Sequence, residues 1–415
     1  MRTAAGALVF ALLAGPATAQ ETPYRPLTLP EPGAGVCPGG MCRAEALSRV
    51  FASLLATERG ERREPVHILQ LGDSHTAGDR ITGKVRAMLQ ARFGAAGRGV
   101  LPPGVPYPGY APHGVEVLAD GWRTELAPLG GGGAASGLTS ARGRAAADAA
   151  LTLRFEAGAA PALFGVCGWA LGDGYGLRVE PGGLPWRLNL NWPEGRPHTC
   201  QEVRLDQPTD MLRLGGLEAG VTLDALWTET GRPGVILSNL GVVGATLRDL
   251  AARDPVAVRN QLAAWSPDLI VLAFGTNEGF EDGLDGPAYA RLLRDEIERL
   301  RRDSDGADIL ILGAPDALRG GSENGCSADG RRKPPPSLAL VRDMQRRVAE
   351  ETGVAYWDWH GRMGGDCSAD RLATAPDPLM RGDRVHFTNV GADWIGGVLA
   401  GDLMAAYEAW KAGRG

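Results

Sequence analysis

Residues 66–79 read Val-His-Ile-Leu-Gln-Leu-Gly-Asp-Ser-His-Thr-Ala-Gly-Asp. The run Val66–Leu71 is short, mostly aliphatic and closed by a glycine, the pattern of a buried β-strand. Helical spacing resumes over roughly residues 79–92. Between them, Gly72-Asp73-Ser74-His75-Thr76 forms a strand-to-helix turn. A serine in such a turn can expose its Oγ and hold its own N–H at a helix N-terminus, where developing negative charge is favoured. The motif differs from the G-x-S-x-G elbow of α/β-hydrolases, and on its own it reads equally well as an ordinary N-cap turn.

The same alternation recurs downstream. Val235–Leu240, Leu269–Phe274, Ile309–Leu312 and Val354–Trp357 read as strands, and helical patterns cover about 246–264, 287–303, 337–352 and 389–410. A further helical pattern, 44–56, precedes the first strand. Strand alternating with helix predicts an α/β fold, a parallel sheet with helices on both faces and right-handed crossovers. The alternation breaks between about 95 and 230. There, short alternating runs (Ala150–Phe155, Gly176–Val179, Arg187–Asn191, Val203–Leu205 and Val221–Trp227) are separated by turn signals such as Pro181-Gly182-Gly183. This stretch reads as an inserted all-β sandwich module, and Leu129–Gly137 reads as a glycine-rich loop.

Composition is consistent with a folded chain of this size. The 415 residues are 44% hydrophobic and 22% charged, with a formal net charge of −6. That balance argues against a nucleic-acid binder built on a basic face. The 60 glycines and 29 prolines show no G-X-Y period, which excludes collagen and points to turns and loops. Arg2, the apolar run Ala4–Ala14 and the Ala17-Thr18-Ala19 site predict a signal peptide over residues 1–19, cleaved before Gln20. An exported protein, periplasmic or secreted, is expected, with no transmembrane segment in the mature chain. Residues 20–42 then read as an extended leader closed by a small cysteine loop. In an oxidising compartment the six cysteines are expected to pair. Of the fifteen possible connectivities, sequence neighbours give the most economical set: Cys37–Cys42, Cys167–Cys200 and Cys326–Cys367. Metal-site spacings such as CxxC and HExxH are absent.

Three further motifs join the Ser74 turn. Asn239-Leu240-Gly241-Val242-Val243-Gly244 follows the second strand and offers unobstructed glycine N–H groups. Phe274-Gly275-Thr276-Asn277-Glu278 follows the third, and its asparagine amide can donate to an oxyanion. Asp383-Arg384-Val385-His386 precedes the last helix; a carboxylate three residues before a histidine can fix the imidazole tautomer. Each has an ordinary structural reading: a glycine turn, an asparagine cap, a surface salt link. All four can reach the carboxyl edge of the sheet, where open α/β sheets place ligands.

In this order the motifs resemble those of the SGNH, or GDSL-like, hydrolase family, whose blocks carry Ser, Gly, Asn and Asp-x-x-His. Here these match Ser74, Gly244, Asn277 and Asp383/His386. The choice of Gly244 over Gly241 follows the family's N-x-x-x-x-G spacing, and GTNE stands where many members have G-x-N-D. The resemblance covers about two thirds of the chain. It implies a flavodoxin-like α/β/α sandwich with a five-stranded parallel sheet. The domains expected are a discontinuous hydrolase, residues 43–94 and 231–415, and a carbohydrate-binding-like β-module, residues 95–230. Four stretches look like bacterial peptidoglycan O-acetylesterases: Gly72–Asp79, Val100–Gly104 with Tyr110 downstream, Gly313–Ala317 and Trp357-Asp358-Trp359.

The resemblance implies a serine esterase acting on an O-acetylated glycan, with peptidoglycan foremost, through an acetyl-serine intermediate. Ser74 would be the nucleophile, His386 the base and Asp383 its orienting carboxylate. The N–H groups of Ser74 and Gly244 and the Asn277 amide would form the oxyanion hole. No metal or organic cofactor is implied, and the oligomeric state is left open. Two alternatives stand: a periplasmic polysaccharide O-acetyltransferase using the same acyl-enzyme, and a non-catalytic glycan-binding protein. In the insert, Trp122, Trp169, Trp186, Trp192 and Trp227 are either core residues or sugar platforms. Tyr107 and Tyr110 are placed at the border of the cleft. His75 is either a substrate contact or a brace. His67, His113, His198 and His360 are assigned structural roles.

Overall fold

The computed structural model describes residues 27–130, 136–169, 176–189, 198–216, 222–322 and 325–414. The signal-peptide region and Trp192 lie outside these residues.

The strand Val66–Gly72 is buried along its whole length. It lies between Val235–Gly241 on one side and Leu269–Ala273 on the other, parallel to both. Asp308–Leu312 and Ala355–Trp357 extend the sheet in the same direction. In order of appearance along the chain, these five strands lie 2-1-3-4-5, the flavodoxin-like order. The sheet is nonetheless six-stranded and mixed, where a five-stranded parallel sheet was expected. Met41–Cys42 adds an antiparallel edge against Tyr356 and Trp357. The Cys37–Cys42 disulfide closes the tight loop that presents this short edge.

Alternate residues of the parallel strands enter two separate apolar cores, as strand geometry requires. Leu69, Leu71, Ile270, Leu272, Ile309 and Ile311 pack on one side with residues of the helices Pro255–Trp265, Gly286–Asp303 and Leu338–Thr352. Val66, Ile68, Leu269, Val271, Leu310 and Leu312 face the helices Ser48–Glu58, Arg80–Phe93 and Asn389–Ala412. The pattern at 246–264 resolves into two helices, Leu247–Ala251 and Pro255–Trp265. Proline cannot continue the first helix, and Asp254 restarts the chain by accepting hydrogen bonds from the Val256 and Ala257 amides.

Between Gly99 and Glu229 the described residues form nine strands. They make one antiparallel sheet, where a sandwich of separate sheets was expected. The long strand Ala141–Phe155 bridges its two arms. Near Ala150–Arg154 it pairs with Met211–Gly216, and near Gly143–Arg144 with Thr222–Glu229. The arms fold over a shared core of Phe164, Val166 and Leu226 from one and Leu177, Val179 and Leu214 from the other. The packing is sandwich-like although the hydrogen bonding is continuous, because one strand serves both arms. Trp122 and Trp227 are core residues: the Trp122 indole donates to the Pro103 carbonyl, and Trp227 fills the space that a side chain at Gly165 would need. All three disulfides form in the pairing expected from sequence proximity. Among the described residues no helix is long and apolar enough to cross a membrane.

Candidate active site

The first parallel strand runs out at Gly72, and the reason for a glycine there is steric. A Cβ would sit 2.3 Å from Thr76 Oγ1 and 2.7 Å from the Ala273 carbonyl oxygen. Asp73 follows in extended conformation and caps the short helix Ser74–Ala77, accepting from the His75 amide at 2.9 Å. Ser74 therefore stands at the first position of that helix. Asn239, at the end of the neighbouring strand, locks the turn: its amide donates to the Thr76 carbonyl at 2.5 Å and to Thr82 Oγ1 at 2.7 Å.

The loop before the last helix brings the other two groups. Ser74 Oγ lies 3.0 Å from His386 Nε2, and His386 Nδ1 lies 2.9 Å from Asp383 Oδ2. The other Asp383 oxygen accepts the amides of Val385 and His386 at 2.9 and 3.0 Å. Partial burial opposes the Asp383 charge, but those two amides and the imidazole outweigh it and hold the carboxyl below its ordinary range. The loop itself is pinned on both sides. The Arg381 amide donates to the His386 carbonyl at 2.7 Å, and the Arg384 guanidinium meets Asp370 at 3.1 Å. Its register against the sheet is thereby set.

Gly241 and Gly244 separate by environment. A Cβ at Gly241 would lie 2.1 Å from the Ala77 backbone nitrogen, so this glycine lets the strand and the helix Ser74–Ala77 meet; its own N–H donates to Asn239 Oδ1. Gly244 sits in the turn beyond with φ of +78°. Its N–H, like that of Ser74, has no protein acceptor among the described residues. Asn277 reaches the same turn and donates to the Ala245 carbonyl at 2.8 Å, which leaves its second amide hydrogen available. A cleft of about 320 Å³ opens over Ser74 and His386, bordered by Arg80, Tyr107, Val243 and Arg381. Tyr107 comes from the segment leading into the β-rich half and donates to the Ala77 carbonyl at 2.8 Å.

Two groups were not recognised as part of the site from sequence. Glu278 is buried beside Asn277, accepts the Leu247 amide at 2.7 Å, and its second oxygen has no hydrogen-bond partner among the described residues. Burial pushes its carboxyl up to about 7. The signal was present as the GTNE departure, but its burial is a tertiary property. Asp79 gathers Arg86, Arg98 and Thr82 behind the helix Ser74–Ala77. His67 and His198 bond inside the protein, to Trp265 and Ser238 and to Asp224 respectively. Among the described residues no group of three or more His, Cys, Asp or Glu could hold a metal ion.

A serine hydroxyl at a helix N-terminus, coupled to an imidazole oriented by a carboxylate, can attack an acyl carbon, with free N–H groups nearby to meet the oxyanion. Residues 211–394 match the model of the GDSL-like lipase/acylhydrolase family. Ser74 lies before the matched span; Gly244, Asn277, Asp383 and His386 lie within it. No curated protein sequence matches the chain. Among solved structures, a peptidoglycan O-acetylesterase matches with a TM-score of 0.77 at 25% identity, over 89% of this chain and 99% of that one. The acetyl xylan esterase AlAXEase matches at 20% identity over 41% of this chain and 81% of that chain, with a TM-score of 0.31. A family two carbohydrate esterase from Clostridium thermocellum matches at 11% identity over 65% of this chain and 95% of that chain, with a TM-score of 0.29. At those two scores neither bears on the reading. The match of residues 211–394 to that family model and the agreement with one solved esterase along nearly the whole chain lead to one conclusion: the chain has the SGNH hydrolase fold and is an esterase similar to the GDSL-like lipase/acylhydrolases.

Proposed function

We propose that the protein is a serine esterase that removes O-acetyl groups from a cell-wall polysaccharide, peptidoglycan being the substrate. The observation that carries the reading is the continuous Ser74–His386–Asp383 hydrogen-bonded series on a scaffold similar, in both its α/β and β-rich parts, to a solved peptidoglycan O-acetylesterase. His386 takes the proton from Ser74 Oγ as the oxygen attacks the acetyl carbonyl. Asp383 holds the imidazole in the tautomer that presents Nε2 to the serine and stabilises the imidazolium that forms. The N–H groups of Ser74 and Gly244 and the Asn277 amide receive the oxyanion. The sugar hydroxyl leaves with the proton from His386, and water activated by the same histidine releases acetate.

In this reading residues 43–94 and 231–415 are the hydrolase, and 95–230 is an insert that presents the glycan. The chain leaves the parallel sheet after helix Arg80–Phe93 and rejoins it at Val235, which supports that division. The three disulfides support export to the periplasm or beyond, behind a signal peptide at residues 1–19. The test is incubation with O-acetylated peptidoglycan, with and without a glycan acceptor, for the protein and for Ser74→Ala. Free acetate that disappears in the variant is the expected result. Acetyl transferred to the acceptor would make the protein a transferase, and retention of the glycan without turnover would make it a binding protein. Undiminished acetate release by Ser74→Ala would overturn the nucleophile assignment.

A further inference from the structure

His75, next to the nucleophile, is buried, and both of its ring nitrogens face oxygens that only accept. Nδ1 lies 3.1 Å from Asp73 Oδ1, and Nε2 lies 2.9 Å from the Val385 carbonyl oxygen. A neutral imidazole has one N–H and one lone pair, so it would set a lone pair against one of these oxygens. Only the imidazolium donates to both. We infer that His75 is a protonated positioning residue: an imidazolium that ties the Ser74 turn, through Asp73, to the His386 loop, through the Val385 carbonyl. The inference rests on the reading of Ser74 and His386 as the catalytic pair only for its kinetic consequence.

The links close a ring. Asp73 accepts from His75, His75 donates to Val385, Val385 donates to Asp383, Asp383 holds His386, and His386 meets Ser74. The two loops that must register to within a few tenths of an ångström are thus joined by a brace that does not run through the reacting atoms. The groups facing His75 are Asp73 on its own turn, Asp383 and His386 on the opposite loop, and the Trp359 and Phe387 rings edge-on. Burial opposes its charge, but the Asp73 carboxylate, the Val385 carbonyl and Asp383 outweigh that and raise its pKa above the ordinary imidazole value.

One consequence concerns pH. The His75 ring stacks on His386 with centroids 5.5 Å apart and planes 30° apart. A fixed cation there disfavours a second positive charge beside it, so its loss should change the pH dependence of activity. Without it the Asp73 carboxylate stands uncompensated, and both changes should move the acidic limb of activity to higher pH. Coulomb's law at this separation gives a displacement of roughly 0.5–2 pH units.

Two measurements test this. In the full chain labelled with ¹⁵N-histidine, long-range ¹H–¹⁵N spectra should show both nitrogens of His75 protonated at neutral pH, with the signal assigned by its loss in His75→Phe. A neutral tautomer at pH 7 overturns the proposal, whatever the activity. The second is kcat/KM against pH on an aryl acetate. His75→Phe should move the acidic limb up by roughly 0.5–2 units. His75→Gln, which can still donate one of the two hydrogen bonds, should recover part of the alkaline plateau without restoring the limb. An unmoved limb in a folded His75→Phe protein overturns the electrostatic role. Loss of the esterase reading itself would show instead as acetate release unaffected by Ser74→Ala.

Discussion

At the residue scale, the most exacting position is Glu278. Its neighbour Asn277 must present an amide to the Gly244 turn, which brings the next side chain into the protein interior against the N-terminus of Leu247–Ala251. With one oxygen held by the Leu247 amide and the other unpartnered, the buried carboxyl resists ionisation. The folded group titrates at about 7 against an ordinary value of 4.5. A carboxyl raised in this way favours the protonated folded state, so folding stability falls as pH rises from about 4.5 to 7 and the penalty is complete above 7. Glu278→Gln removes that dependence. Relative to the parent, the variant should gain up to about 3 kcal/mol between pH 5 and 8 in chemical denaturation. A difference that stays flat across that range would mean the carboxyl ionises normally. The residues of the site were legible in sequence where chemistry and spacing coincide, as in Asp383-x-x-His386. Glu278 was not, and His75 was legible only as either a substrate contact or a brace, since what matters about both is which atoms close around them.

At the scale of elements, the carboxyl ends of the first and second parallel strands are tied to the helix Arg80–Phe93 by one buried carboxylate. Asp79 accepts from Arg86 at 2.8 Å, Arg98 at 2.9 Å, Thr82 at 2.7 Å and the His113 amide at 2.9 Å. Burial opposes its charge, but the two guanidinium groups prevail and hold its pKa far below the carboxylate range. Removing one partner of such a group leaves two buried cations uncompensated, which costs about 3–5 kcal/mol. Asp79→Ala should therefore lower the unfolding free energy by that much, seen as a lower urea midpoint at unchanged slope, and should weaken activity through the adjacent Ser74 turn. A midpoint within experimental scatter of the parent would show that the arginines find other partners. The strands and long helices were readable because apolar spacing states them directly. The break at Pro255 was missed because the apolar positions keep helical spacing across it. The strands Val115–Leu126 and Leu163–Trp169 were missed because one is mostly exposed and the other is buried on both faces, so neither shows a sustained alternation.

At the scale of the whole molecule, the β-rich half is locked to the α/β half by buried polar contacts as well as by apolar packing. His198 lies 3.0 Å from Asp224, both with fully buried side chains, and the Asn260 amide, from helix Pro255–Trp265, donates to the His198 carbonyl at 2.7 Å. Cys167–Cys200 crosses paired strands beside this contact, and Cys326–Cys367 clips the loop after the fourth parallel strand to the helix Ser368–Thr374. Closing loops of 33 and 41 residues should each contribute about 3–4 kcal/mol. Non-reducing peptide maps should recover the three expected pairs, and reduction should lower the thermal midpoint by several degrees. A midpoint insensitive to reductant would mean the bridges contribute little beyond the packing around them.

The sequence by itself determined the alternation of parallel strands and helices, the resemblance to a hydrolase family and the cysteine pairs, and it singled out the residues proposed for acyl chemistry, because these depend on local spacing and on side-chain chemistry. The tertiary structure decided what spacing cannot express. It showed that the β-rich half is one bent sheet, that Gly241 packs while Gly244 leaves its N–H free, and that His75 and Glu278 are buried in surroundings that bear on their protonation. Those properties come from contacts between segments 31 to 310 residues apart, where desolvation and hydrogen-bond partners follow from the fold as a whole.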